Sequence, residues 1–132
     1  MYAFGMSNQL TQDFVNAKLR ILGNTLLKNP YKQEWSEDNP TLGYCYVVSE
    51  AIFHYGLEGK VTPMVMSFPE GGTHWFLKLE DGSIVDFTHE QFTFGVDYTQ
   101  ATRCPFFKGG VQTSRGYISK RGHIIAQKLG LV

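Results

Sequence analysis

An α+β fold, with N-terminal helices packed on an antiparallel sheet, is what this sequence predicts, and three observations predict it. Apolar residues recur at helical spacing near the N-terminus, give way to short strand-like runs separated by turn residues, and return to helical spacing at the C-terminal end. The 132 residues match one domain with a single modest core, so 1–132 is read as one domain with one active site.

The first element is a helix over residues 9–28, where Leu10, Phe14, Leu19, Leu22, Leu26 and Leu27 stand mostly three or four apart. Thr11 or Asn8 is expected to cap its start, and Asn29-Pro30 to end it. From Tyr31 to Gly43 the chain turns to Trp, Ser, Asn, Pro and Gly with no period, and reads as a loop. It leads into CYVVSEAIFHYG, a helix with Cys45 in its first turn, with Cys45, Val48, Ser49 and Ile52 on one face and Gly56 as a left-handed stop. KVTPMVMSF, THWFLKLE and SIVDFT read as three strands. After Phe92 a loop with at most one short strand is expected, and SKRGHIIAQKLGL reads as a basic helix. Its Ile124, Ile125 and Leu129 dock while Lys120, Arg121 and Lys128 stay in water.

Composition narrows the function classes. Hydrophobic residues at 42% and charged residues at 18% describe an ordinary globular chain rather than a disordered one. MYAFGMSNQL lacks the charged and apolar regions of a signal peptide, and no apolar run spans a bilayer. A cytoplasmic protein with no membrane partner is the expectation. In that compartment Cys45 and Cys104 are expected to stay unbridged, and neither lies in a CxxC pair. The formal net charge is zero, but through Asp97 there are six basic and twelve acidic residues, and beyond it six basic and none acidic. Lys120, Arg121 and Lys128 therefore form a positive face that either packs on the acidic body or engages an anionic partner.

The chemistry centres on Cys45. A cysteine attacks as thiolate, a form favoured by the free N–H groups at a helix start, and it needs a base held by a third group. Of the four histidines, His54 lies nine residues along the same helix, roughly 13 Å from Cys45 along its axis. His123 sits among cations with no carboxylate near in sequence. His74 opens a strand directly after Gly71-Gly72, and Asp86 stands on the next strand. A two-residue Asp-Gly turn would throw His74 and Asp86 to opposite faces. A three-residue Glu80-Asp81-Gly82 loop with a left-handed glycine bulge pairs Phe76 with Asp86 and leaves His74 on the same face. Both turns suit the sequence, and the bulged one is the structural prediction. Cys45, His74 and Asp86 are thus the expected catalytic residues, with the Cys45 N–H and the Asn39 amide as oxyanion donors.

Nucleophile on a helix start, base on a strand start and acid on the next strand resembles the papain-like and transglutaminase-like folds. That resemblance implies a minimal papain-like core and a thiol hydrolase or acyltransferase acting on a peptide, amide or acyl substrate through a thioacyl intermediate. The strings WSEDNPTLGYCYVVSEAI, HWFLKLEDGSIVDFTHEQF and SKRGHII look like the YunG-type family of uncharacterised bacterial and phage proteins. Trp35, Ser36, Asn39, Pro40, Gly43, Cys45, His74, Trp75, Asp86, Thr88, Gln91 and Phe92 match its pattern, whereas Thr93 to Gln112 has no counterpart. The resemblance assigns no reaction. It directs attention to Trp75, Trp35 and Gly43 as substrate-binding positions and to the unmatched loop for substrate choice.

Blander readings stand beside these. A cysteine on a helix face is commonly core filler, and Cys104, before Pro105 in a loop, is read as structural. Trp75 walls a pocket or fills the core, and Asn39 holds either an oxyanion or the Asn39-Pro40 turn. Thr88 and Gln91 are expected to form a helix capping box, with His89 exposed. Cys45, His74, Asp86 and His89 suit a metal by type, but no dense ligand spacing supports one, so neither metal nor cofactor is expected. The rival function is a non-catalytic interaction module of phage or bacterial origin that uses the basic C-terminal face.

Overall fold

The computed structural model describes residues 10–132. Helix α1 (Gln12–Leu22) begins where Thr11 Oγ1 accepts the Phe14 N–H at 3.1 Å, satisfying a donor that the helix leaves unpaired. The alternative cap, Asn8, lies outside the described residues, as does Gln9 at the start of the expected helix. Val15 and Leu19 are its buried positions. The helix is shorter than the apolar spacing predicts: it stops at Gly23, whose N–H bonds the Leu19 carbonyl, well before Asn29-Pro30. Leu26 and Leu27 leave the helix and still pack on the core, so their spacing reflects packing and not helical continuity. A four-residue helix, α2 (Tyr31–Glu34), interrupts the stretch expected to be loop.

Helix α3 (Cys45–Ala51) follows Gly43 and widens into a π turn over Ile52–Gly56. Gly56 closes that turn without the left-handed conformation expected of it. Val48, Ser49 and Ile52 are buried, and Cys45, one turn before them, is partly exposed. This gradient is what a helix gives when its body packs on a sheet and its first turn reaches the sheet's edge.

Strands β1 (Val61–Ser67), β2 (Thr73–Leu79), β3 (Ile84–Val85) and β4 (Thr102–Arg103) form one antiparallel sheet in the order β3-β2-β1-β4. Alternation along β2 and β3 sends Leu77, Leu79, Val85 and Phe87 to the face carrying the main core, together with Val48 of α3. The other face carries His74, Phe76 and Asp86, roofed by Phe92 and Tyr98. The segment beyond Phe92 holds more structure than expected: besides β4 it forms a hairpin of β5 (Gly110–Thr113) and β6 (Gly116–Ser119).

The basic tail is the expected helix, α4 (Lys120–Lys128), capped by Ser119 Oγ accepting the Gly122 N–H at 3.0 Å. Ile125 and Leu129 dock, and Lys120 and Lys128 are exposed. Arg121 is not in open water as expected; it is half-buried and donates to the Leu26 carbonyl at 2.8 Å. No helix among the described residues is long and apolar enough to cross a membrane.

Candidate active site

The turn between β2 and β3 decides which face each polar residue takes. The Leu79 N–H bonds the Ser83 carbonyl at 2.9 Å, the Gly82 N–H bonds the Leu79 carbonyl at 3.0 Å, and Gly82 has φ 90°. This is the three-residue Glu80-Asp81-Gly82 loop, whose last position demands a left-handed residue. Leu77 consequently pairs with Val85, and Lys78 with Ile84. That register places Phe76 opposite Asp86 and leaves His74 two residues away on the same face.

Across this gap His74 Nε2 and Asp86 Oδ2 lie 2.6 Å apart, with His74 at 0% and Asp86 at 4% exposure. Ions so deeply buried are tolerable only with full hydrogen bonding, and Asp86 has it. Its Oδ2 also accepts from the Tyr98 hydroxyl at 2.7 Å. Its Oδ1 accepts from the Thr88 N–H at 3.1 Å and the Thr88 hydroxyl at 3.2 Å. Thr88 is therefore not the expected capping residue; its side chain makes no cap bond and serves Asp86 instead. Burial alone would raise Asp86, but the bond to and charge of His74, with Tyr98 and Thr88, hold its carboxyl below the usual range. Burial alone would lower His74, but the bond to Asp86 and the charge of that carboxylate, with the influence of the neighbouring Cys45, outweigh it, and the imidazole is raised to about 9.

With Nε2 committed to Asp86, the other ring nitrogen, Nδ1, is buried and has no hydrogen-bond partner among the described residues. Cys45 is the remaining polar group acting on this ring. Its thiol also lies 3.9 Å from the Thr73 carbonyl, at the residue preceding His74. Phe76 and Phe92, with ring centroids 6.0 and 4.9 Å from the imidazole, hold the ring in place.

Cys45 opens into a cavity of about 310 Å³ walled by Tyr31, Tyr46, Trp75 and Phe107 and bordered by Gly43, Thr73 and Gln91. That volume is at the small end of ligand sites. Gly43 has φ 82°, and a Cβ there would fall 2.8 Å from Tyr31 Cβ, so no other residue fits this entry to α3. Trp75 is both wall and core: it is 7% exposed and stacks on Phe106 at 5.5 Å.

Two residues singled out from sequence lie elsewhere. Trp35 donates its indole N–H to the Pro40 carbonyl at 2.9 Å and packs on the core rather than on the cavity. Asn39 sits in a tight Ser36–Asn39 turn and donates its amide to the Gln91 carbonyl at 3.2 Å. Asn29 and Gln91 bring side-chain amides to the cavity, and Gln91 is fixed there: its Oε1 accepts from the Gly43 N–H at 3.4 Å and its Nε2 donates to the Thr88 carbonyl at 2.9 Å. Tyr98 was the residue that sequence reasoning missed outright, and Gln91 was misread as a cap.

The other candidates are placed away from the thiol. His54 bonds Thr113 Oγ1 at 2.6 Å, His123 bonds the Tyr55 hydroxyl at 3.1 Å, and His89 is exposed. Cys45 and Cys104 are both free. Among the described residues no group of three or more His, Cys, Asp or Glu side chains stands close enough to hold a metal ion. A family model described as YunG protein matches residues 22–115, the greater part of the chain. No curated protein and no solved structure matches the chain.

Proposed function

The chain belongs to the YunG family, and from that premise we propose that it is a cysteine-dependent amide hydrolase or acyltransferase of minimal papain-like, transglutaminase-like design. One observation carries this reading: a buried imidazole has one nitrogen fixed by a fully bonded carboxylate and the other left to Cys45, the one sulfur at the cavity among the described residues. A nucleophile, a base and an orienting acid arranged in that order are the parts that thiol acyl chemistry needs.

In the proposed reaction His74 takes the thiol proton of Cys45 and so frees the sulfur to attack. The sulfur attacks the carbonyl carbon, an S–C bond forms, and the carbonyl electrons move to oxygen. As first residue of α3, Cys45 has an N–H with no carbonyl inside the helix to bond, and it faces the oxyanion. Gln91 Nε2, which has a second N–H beyond the one given to Thr88, serves as the other donor in place of Asn39. His74 then protonates the departing nitrogen, the C–N bond breaks, and a thioacyl enzyme remains. Water or an amine attacks it, loses a proton to His74, and releases the acid or the transferred product. The two free cysteines suit a cytoplasmic setting.

The test is an acyl trap. Incubation with a p-nitrophenyl ester should give a nitrophenol burst and a protein mass increased by one acyl group on Cys45, with neither in Cys45→Ala. Acylation retained in Cys45→Ala would sink the proposal. Adding an amine acceptor then separates transfer from hydrolysis by the product formed.

A further inference from the structure

Three cations stand around the same cavity as Cys45: Lys28, Lys108 and Arg121. They come from three distant parts of the chain, namely the segment after α1, the loop before β5 and the first turn of α4. No Asp or Glu among the described residues lines that cavity. Among the described residues none of the three forms an ion pair with a carboxylate. Like charges gathered without counter-charge repel, so a fold that collects them leaves a place for an anion.

Glu50 attracts Lys108 and Arg121 electrostatically, but among the described residues it forms no ion pair with either and does not line the cavity. Glu50 is fully buried, and its oxygens accept from the Ser119 N–H at 2.9 Å and the Ser119 hydroxyl at 2.5 Å. Lys108 meanwhile holds its ammonium over the Tyr46 ring, 4.9 Å from its centroid, and burial with the charges of Arg121 and Lys28 lowers its proton affinity against the smaller opposing pull of Glu50. Tyr46 in turn accepts the Phe107 and Lys108 N–H groups at 3.0 and 3.2 Å, which pins the lysine's loop against the cavity. Arg121 spends one N–H on the Leu26 carbonyl and keeps its remaining donors.

We propose that the Cys45 cavity takes a small acyl or amide substrate bearing an anionic group, a carboxylate or a phosphate, seated among Lys28, Lys108 and Arg121. This rests on the thiol reading of Cys45 and adds the substrate class. A cavity of about 310 Å³ with aromatic walls suits a small acid rather than a polyanion. The positive charge of the C-terminal segment thereby divides: Arg121 turns to the cavity, while Lys120 and Lys128 face solvent.

Paired alkylation tests it. Iodoacetate and iodoacetamide both form an S–C bond on the Cys45 thiolate and release iodide, but only iodoacetate brings a carboxylate. With each rate divided by that of glutathione, the iodoacetate-to-iodoacetamide ratio at Cys45 should be raised about tenfold at low salt and fall toward one as salt screens the cations. In Lys28→Gln/Lys108→Gln the ratio should drop about fivefold, the iodoacetamide rate of the same variant serving as its own denominator. Glutarate or inorganic phosphate should protect Cys45 in the native protein, and the better protector identifies the anion. A normalised ratio near one, or one unchanged in the double variant, overturns the proposal. Slow iodoacetamide modification that His74→Ala does not alter would instead overturn the nucleophile. In that event a saturable change in tryptophan fluorescence on titrating glutarate or phosphate, present in the native protein and absent in the double variant, still decides whether the cations gather an anion.

Discussion

Two buried carboxylates, Asp86 on the loop-covered face of the sheet and Glu50 at the junction of α3 and α4, are shifted in opposite directions. Burial pushes both up. At Asp86 an imidazole 2.6 Å away, a tyrosine hydroxyl and two Thr88 donors reverse that push and the carboxyl is lowered. At Glu50 burial prevails over the two Ser119 bonds and the more remote charges of Lys108 and Arg121, and the carboxyl is raised. The difference teaches that a contacting ionisable partner, more than depth, decides whether a buried acid is kept ionised. Asp86 is built to hold a cation in place, and Glu50 is built to join two helices: it bonds the Ser119 cap of α4 from the body of α3.

The contrast breaks most visibly when the partner is removed. Asp86→Ala strands a buried imidazole and should lower unfolding free energy by about 3–5 kcal/mol, measured by urea denaturation, and should slow Cys45 alkylation. Glu50→Ala orphans the Ser119 N–H and hydroxyl and should lose about 2–3 kcal/mol in the same assay while leaving the relative rates of Cys45 in native and His74→Ala backgrounds unchanged. Tyr98→Phe removes one of the four bonds to Asp86 and should lose about 1.5 kcal/mol.

Stability against pH sharpens the comparison further. A raised Glu50 binds more protons folded than unfolded, so its contribution is complete below its ordinary value and is lost as pH climbs through the folded value. Glu50→Gln should therefore gain in Tm relative to the native protein between pH 4 and 7, by about a few degrees. A lowered Asp86 acts oppositely, its contribution present above the ordinary carboxylate range and lost as acid reaches the folded value. The raised His74 contributes fully below about pH 6.5 and fades as pH passes about 9, so the Tm difference between native and His74→Ala should narrow there.

What was legible in the sequence follows from the range of the interactions. The Glu80-Asp81-Gly82 turn is local chemistry, and it alone set His74 and Asp86 on one face. The start of α3 at Cys45 was legible because Gly43 and the loose stretch before it mark an entry. Tyr98 was not, because it lies twelve positions beyond Asp86, past an irregular stretch that carries its hydroxyl back to the carboxylate. The burial of Glu50 depends on Ser119, and the placement of Arg121 on the Leu26 carbonyl; neither spacing leaves a periodic trace. Helix α1 was overextended because apolar spacing continues into a segment that packs without being helical. The β5–β6 hairpin was passed over because Val111, Tyr117 and Ile118 are the large apolar residues at its paired positions and Tyr117 is exposed, which leaves no clean alternation.

The most direct measurement is the rate of Cys45 alkylation by iodoacetamide against pH, read by mass spectrometry, in the native protein and in His74→Ala. Rapid modification at pH 6 that is lost in the variant is the result predicted by the proposed Cys45–His74 pair, because a cationic imidazole beside a sulfur favours its reactive form. Slow modification that climbs only near the pH of an ordinary thiol, about 8.5, and is the same in both proteins would contradict the account.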